Sequence, residues 1–272
     1  MKKYNAAPAK ELTRQEAFVR AHKHYHNKIS FCRILIFILF LTLWETAAAL
    51  VWMDTFFFSS PSKVVLCFFE LVTKRALFLH IGITLAETLI SFFLVILIGM
   101  AAATLLWYSS GVSEIAEPYL VILNSLPKSA LAPLFIVWLG TGTTTIIVAG
   151  ASVAIFGSII SLYTGFKQVD SEKITLIYTL GGSKWNAFFK VILPGSIPTI
   201  LSTMKVNIGL ALVGVIIGEF LAARRGLGYL IIYGSQVFQM HMVITSIILL
   251  CIIAMGLYQI IQWGEHYYKK KM

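Results

Sequence analysis

Charge is what this sequence lacks. Only 12% of its 272 residues are Asp, Glu, Lys or Arg, against about 25% in an ordinary soluble domain. None occurs from Ser129 to Phe166, and none from Val191 to Met204. Runs of that length without charge exclude a water-soluble enzyme or nucleic-acid binder. Cysteine is scarce as well. Cys32, Cys67 and Cys251 show no paired spacing, which excludes a disulfide framework and a cysteine metal site. A phosphate loop is missing too. Gly140-Thr141-Gly142-Thr143-Thr144-Thr145 has neither the Gly-Lys-Ser/Thr ending nor the preceding strand that such a loop needs. The chain therefore has no nucleotide site of its own, and no cofactor is expected. His22, His24 and His26 alternate with Lys23 and Tyr25, without a carboxylate or cysteine beside them. We read no metal site there, but a tail lying on anionic lipid.

What remains is 58% hydrophobic. It reads as an all-α polytopic membrane protein of about six transmembrane helices. A basic tail, 1–30, precedes one membrane domain, 31–266, and a second basic tail, 267–272. Spans are expected at Ile34–Trp52, Ile81–Tyr108, Thr144–Phe166, Thr199–Ala222 and Val243–Trp263. A further span starts near Pro118, after a turn from Ser109 to Glu117, and is broken around Asn124-Ser125-Leu126-Pro127-Lys128. Proline removes a helix hydrogen bond, so the freed backbone must be buried in protein or line a watery path. Ser60-Pro61-Ser62 opens an interfacial helix, and Leu230–Gln239 is a second short one. The formal net charge of +10 lies mostly in tails and loops. With both termini in the cytoplasm, the outer segments hold Lys63, Lys74, Arg75, Arg224 and Arg225, and most other Lys and Arg lie inside, as the positive-inside rule requires. The +10 thus argues for a membrane and against nucleic acid.

One polar stretch, Asp170 to Pro198, interrupts the apolar runs. Ile174, Leu176, Ile177 and Leu180 give a first short helix an apolar side. Gly181-Gly182 supplies the left-handed residue that ends it. Ser183 caps a second helix, in which Trp185, Phe188, Phe189 and Ile192 recur at i, i+3, i+4 and i+7 as one stripe. Pro194 is expected to stop that helix at Leu193. A capped two-helix segment between spans makes a docking surface.

Charged and amide groups inside the spans are candidate functional residues. Glu45 is either a functional acid or faces a partner helix and is satisfied there. Glu87 is expected to face the bundle. Glu219 is expected to pair with Arg224 or Arg225, and Lys205 to snorkel to the interface. Asn207 either lines a path or bonds across helices. Glu87, Asn124, Ser125, Lys128 and Asn207 are the candidate path residues.

The polar stretch resembles the cytoplasmic coupling segment of permease subunits in ATP-binding-cassette (ABC) importers. That pattern is Glu-Ala-Ala, three residues, Gly, nine residues, Ile, one residue, Leu-Pro. Gly181 falls on its glycine, Val191 on its isoleucine, and Leu193-Pro194 on its Leu-Pro. The Glu-Ala-Ala falls on Thr175, Leu176 and Ile177, and the nearest acid, Glu172, is three residues early. Trp44-Glu45, Ser60-Pro61-Ser62, Leu126-Pro127, Ala132-Pro133-Leu134, Trp138-Leu139-Gly140 and Gly226-Leu227-Gly228 are similar to the nitrate, sulfonate and taurine permeases. The resemblance covers residues 44 to 263.

It implies a type I ABC importer permease fold in a bacterial inner membrane. It implies two permease copies, a homodimer, around a central path. Separate ATPase subunits would dock at Glu172, Gly181, Gly182, Trp185, Phe188, Phe189, Leu193 and Pro194. An extracytoplasmic solute-binding protein would deliver a small polar solute. The family's anion cargo sits poorly with Glu87 and Asn124, which stand where arginines are common, so a neutral or cationic vitamin-precursor-like solute stays open. A different class, a stand-alone secondary transporter, would use Glu45, Glu87 and Glu219 as coupling carboxylates. A membrane enzyme is disfavoured because His80 and His241 are isolated.

Overall fold

A computed structural model describes residues 14–271, and for residues 14–21, 24, 26 and 271 the backbone alone. Residues 1–13 of the expected basic tail lie outside the described residues, as do the side chains of His24 and His26. Every regular element among the described residues is helical. The chain divides into two compact units, Met1–Lys63 and Val64–Met272.

In the first unit, α1 spans Arg14–Ala49. It starts twenty residues before the expected Ile34, and the stretch apolar enough to cross a membrane is Asn27–Ala49. It ends before Trp52, where Val51 takes a left-handed backbone, φ 58°. A short α2, Thr55–Phe58, is capped by Asp54. Glu45 is not a free intramembrane acid. It accepts from the backbone N–H and the hydroxyl of Ser62, at 3.0 and 2.8 Å. Ser62 lies in the first turn of α3, Pro61–Thr73, whose leading proline is the expected device.

The second unit is a helix bundle. Its long members are α4 (Ala76–Tyr108), α7 (Thr143–Lys167), α11 (Ile197–Ala222) and α13 (Met240–Lys271). Each is long and apolar enough to cross a membrane. α7 packs along both α4 and α11, and small residues allow this. A Cβ at Gly150 would lie 2.5 Å from Ser91 Oγ, and one at Gly214 would lie 2.8 Å from the carbonyl of Ala149. Where lipid replaces water, close backbone approach of this kind drives helix association.

Two helices, α5 (Ser110–Ser125) and α6 (Lys128–Leu139), bend by 95° across their break. Leu126 is extended, ψ 138°, as a residue before proline prefers. α5 starts eight residues earlier than expected. Ser109 caps it, accepting from Val112 N–H, so Pro118 lies inside the helix and Glu114 and Glu117 are helical. Two short helices, α8 (Ser171–Thr179) and α9 (Lys184–Ala187), form the polar stretch. α9 runs through a π turn, Phe188–Ile192, into α10, Leu193–Gly195. α12, Leu227–Gln236, begins three residues before its expected position.

Pro194 does not stop the helix. A proline has no N–H to give and clashes with the preceding turn. The π turn widens the coil just before it, and Leu193 N–H bonds back to Phe188 O. Helical backbone thus continues past the proline almost into α11, which starts at Ile197 instead of Thr199. Insertions of this kind are frequent at functional sites.

Candidate functional site

The α8–α9 corner is stiff for identifiable reasons. Asp170 caps α8, its Oδ1 accepting from Glu172 N–H at 2.9 Å. At the other end Gly182 N–H bonds to Ile177 O and Gly181 N–H to Tyr178 O, at 2.8 and 3.0 Å. This is a Schellman motif, and it uses both glycines. Gly181 has φ +78°, and a Cβ on Gly182 would lie 2.8 Å from Ile177 O. Ser183 Oγ then accepts from Asn186 N–H at 3.3 Å.

The segment is bolted to the ends of α4 and α7. Lys184 donates to Tyr108 O at 2.6 Å, a cation on the last carbonyls of a helix. Its ammonium also lies over the Trp107 and Tyr108 rings, at 5.7 and 5.1 Å. Phe188 packs on Trp107 and Phe166, ring centroids 5.4 and 5.6 Å apart. Ile192 and Phe188 sit in one buried cluster with Ala103, Leu106, Leu162 and Phe166.

The expected stripe therefore splits. Phe188 and Ile192 are 3% and 0% exposed, while Trp185 and Phe189 are 48% and 59% exposed. Phe188 is an anchor and is not on the free surface, because its ring packs into the cluster of Trp107 and Phe166. Trp185 stacks between Tyr108 and Phe189, at 5.2 and 5.7 Å. Leu176, on α8, and Leu180, just past its end, are also exposed, whereas Ile174 and Ile177 are half-buried. Glu172 is exposed in the first turn of α8. Leu193 and Pro194 are half-buried. The outcome is a set of exposed large apolar side chains on a segment tied to α4 and α7.

Of the path candidates, Asn124, Lys128 and Asn207 meet α7 at Gly157, Phe156 and Ser158, while Glu87 lies apart. Lys128 donates to the carbonyls of Leu123, at 2.8 Å, and of Asn124. It thus closes the end of α5 that Pro127 leaves open. Asn124 and Ser125 are exposed near that break, and Ser125 Oγ bonds back to Val121 O. Asn207 is buried and donates to Ser158 Oγ at 2.8 Å, so it bonds across α11 and α7. It also lines a small cleft with Gly157, Ser161, Ser202 and Thr203. Lys205 pairs with Glu265 on α13, which also holds Lys269 at 2.9 Å. Glu265 was missed by the sequence reading, which ended the last span at Trp263. A signal existed: Glu265 is four residues before Lys269, as for a helical ion pair.

Opposite the segment, beyond the length of α7, lies a second polar cluster. At about 1.5 Å per residue the 25 residues of α7 separate the two by roughly 37 Å. Glu219 does not pair with Arg224 or Arg225. Its Oε1 accepts from Thr84 Oγ1 at 2.7 Å and its Oε2 from Gly228 N–H at 2.5 Å. The Gly226–Gly228 turn brings these donors in, and a Cβ at Gly226 would overlap the carboxyl at 2.4 Å. Thr84 Oγ1 also accepts from Leu227 N–H, and His80 Nδ1 from Gly226 N–H. Glu87 is 2% exposed and lies beside Glu219 and Thr143. It lines a cavity of about 530 Å³. Among the described residues no cluster of His, Cys, Asp and Glu could hold a metal ion.

The chain is similar to known transport proteins. A probable ABC transporter permease protein of Haemophilus influenzae is 29% identical, covering 86% of this chain and 94% of that one. The formylaminopyrimidine transport permease of Halalkalibacterium halodurans is 28% identical, over 72% and 77%. The taurine transport system permease of Escherichia coli is 27% identical, over 79% and 80%. Among solved structures, the fold matches that of the MetNI methionine ABC transporter in an inward-facing conformation. The TM-score is 0.61 at 20% identity, covering 72% of this chain and 96% of that one. Residues 95–264 match the family of binding-protein-dependent transport system inner membrane components, and this all-helical, multi-pass chain belongs to that family, the permease components of ABC importers.

Proposed function

We propose that this chain forms the translocation path of an ATP-driven importer for a small polar solute and docks a separate ATPase through residues 170–198. The observation that carries the reading is the exposed Leu176, Leu180, Trp185 and Phe189 patch on a segment tied to α4 and α7 by Lys184 and Phe188. Large apolar surface of this kind marks an interaction site. Its rigid mounting lets a push on the patch move α4, α7 and α11 instead of bending the segment. The segment end and both termini lie in the cytoplasm. At the far end an extracytoplasmic binding protein delivers the solute, and a second copy of the chain completes the path. ATP-driven closure of the ATPases rocks the two bundles between inward-open and outward-open states. The names of relatives span several cargoes, so the solute is set by the partners and by the path.

The test is co-purification of a tagged chain expressed with its neighbouring genes, intact or as Gly181→Pro. An ATPase subunit recovered with the intact chain and lost with Gly181→Pro supports the reading. A folded chain that recovers no ATPase, and moves solute into liposomes without ATP, refutes it in favour of a secondary transporter. Glu45 and Glu219, two carboxyls such a transporter would use, are committed to Ser62, Thr84 and Gly228, which favours the importer.

A further inference from the structure

Glu87 and Glu219 lie side by side, yet they are placed for different work. Both oxygens of Glu219 are taken, one by Thr84 and one by the Gly228 amide. Those bonds hold the Gly226–Gly228 turn. Glu87 has an oxygen to spare. Among the described residues the buried side-chain atoms without a partner are Ser59 Oγ, Thr88 Oγ1, Ser246 Oγ and Glu87 Oε2. Of these four residues, only Glu87 lines the cavity at this end of the bundle. Buried polar atoms are satisfied almost without exception, and one that is not calls for a reason.

The cavity supplies one. Its volume of about 530 Å³ falls in the range of small-molecule sites. Ile83 and Ile146 give it apolar lining, and Thr141 and Thr143 add hydroxyls. The exposed Arg224 and Arg225 line it too. Glu87 thus provides an acceptor on one lining element and the arginines provide donors on another.

We propose that this cavity is a cargo subsite, in which Glu87 accepts an N–H from an ammonium, amidine or amino-heterocycle. The inference rests on the importer reading and narrows its substrate class. A solute with acceptors alone would leave Oε2 unsatisfied. One with an N–H at one end and an acceptor or anionic group at the other satisfies Glu87 and the arginines together. Glu219 is then a positioning residue, which fixes the turn that carries the arginines into the cavity wall.

The test uses the full chain, co-expressed with its neighbouring genes and placed in lipid nanodiscs. Saturation-transfer NMR reads weak binding of two probes of nearly equal size, 4-aminopyrimidine and 4-methylpyrimidine. The intact chain is expected to favour the amino probe by about fivefold or more, the worth of one hydrogen bond. Glu87→Leu abolishes that preference. Glu87→Gln, which keeps the shape and is the safer fold, reduces it. ATPase co-purification stays with both variants and reports that they are folded. Equal transfer to the two probes, no transfer to either, or a preference that survives in both variants overturns the subsite. Failure to recover an ATPase with the intact chain overturns the importer reading instead.

Discussion

Phe188→Ala should loosen the joint between the segment and the spans while keeping every exposed side chain of the patch, although it removes a ring that Trp185 and Phe189 lean on. The ring is 3% exposed and packs among Trp107, Phe166, Trp185 and Phe189. Truncating a buried Phe costs about 3–5 kcal/mol, transfer and cavity together. At tenfold per roughly 1.4 kcal/mol, local opening should rise by roughly 150-fold to several thousandfold. Hydrogen exchange read by mass spectrometry over residues 184–196 would show it, because these amides exchange through local opening. Exchange at the middle of α7 should not change. Phe189→Ala is the control, since that ring is 59% exposed and surface changes stay within about threefold. If the two variants exchange alike, Phe188 is not the anchor, and the rigid mounting inferred for the segment fails.

Gly182→Ala places a methyl 2.8 Å from Ile177 O and breaks the Schellman pairing. It should cost about 1–3 kcal/mol and speed exchange at the end of α8, and an unchanged profile would contradict the packing described. Glu265→Gln should destabilise more than Lys205→Met, because Glu265 holds both Lys205 and Lys269. The expected loss is about 1–3 kcal/mol, read as thermal midpoint in detergent, and the reverse order would refute the assignment. Burial pushes the Cys67 thiol up from its ordinary value, a hydrogen bond with Thr245 opposing in part. The reactive thiolate therefore forms only at higher pH. In a Cys32→Ser, Cys251→Ser chain, the pH profile of alkylation should lie above that of a free thiol, and a matching profile would rule burial out.

The spans were legible because hydrophobic runs register length directly, and Gly181, Ser183 and Pro61 were legible because caps and turns are local. The π turn was not. Whether the coil before Pro194 widens or ends depends on Phe188 and Ile192 finding a buried cluster on α4 and α7, which no local rule contains. That tertiary contact also split a stripe that periodicity had drawn as one face. Glu219 was misassigned for a related reason. Arginines five and six residues on are the natural partners by charge, but the Gly226–Gly228 turn folds back and offers backbone N–H groups first. Lys205 and Glu265 lie sixty residues apart, and helix packing alone brings them together. Asn207 had two readings on sequence, and Ser158 shows that it bonds across helices, while its second contact with a cleft leaves it at a polar face.

The central claim is that the exposed patch at 176–189 is where the ATPase sits. A photo-crosslinking amino acid at Leu180, the most exposed of its large apolar residues at 75%, tests it most directly. In membranes expressing the chain with its neighbouring genes, light should join Leu180 to the ATPase subunit. The same probe at Leu97, exposed on α4 within a span, should join to lipid or to another permease. Crosslinking of the ATPase at Leu97 and not at Leu180, or at neither while the ATPase still co-purifies, would contradict the account.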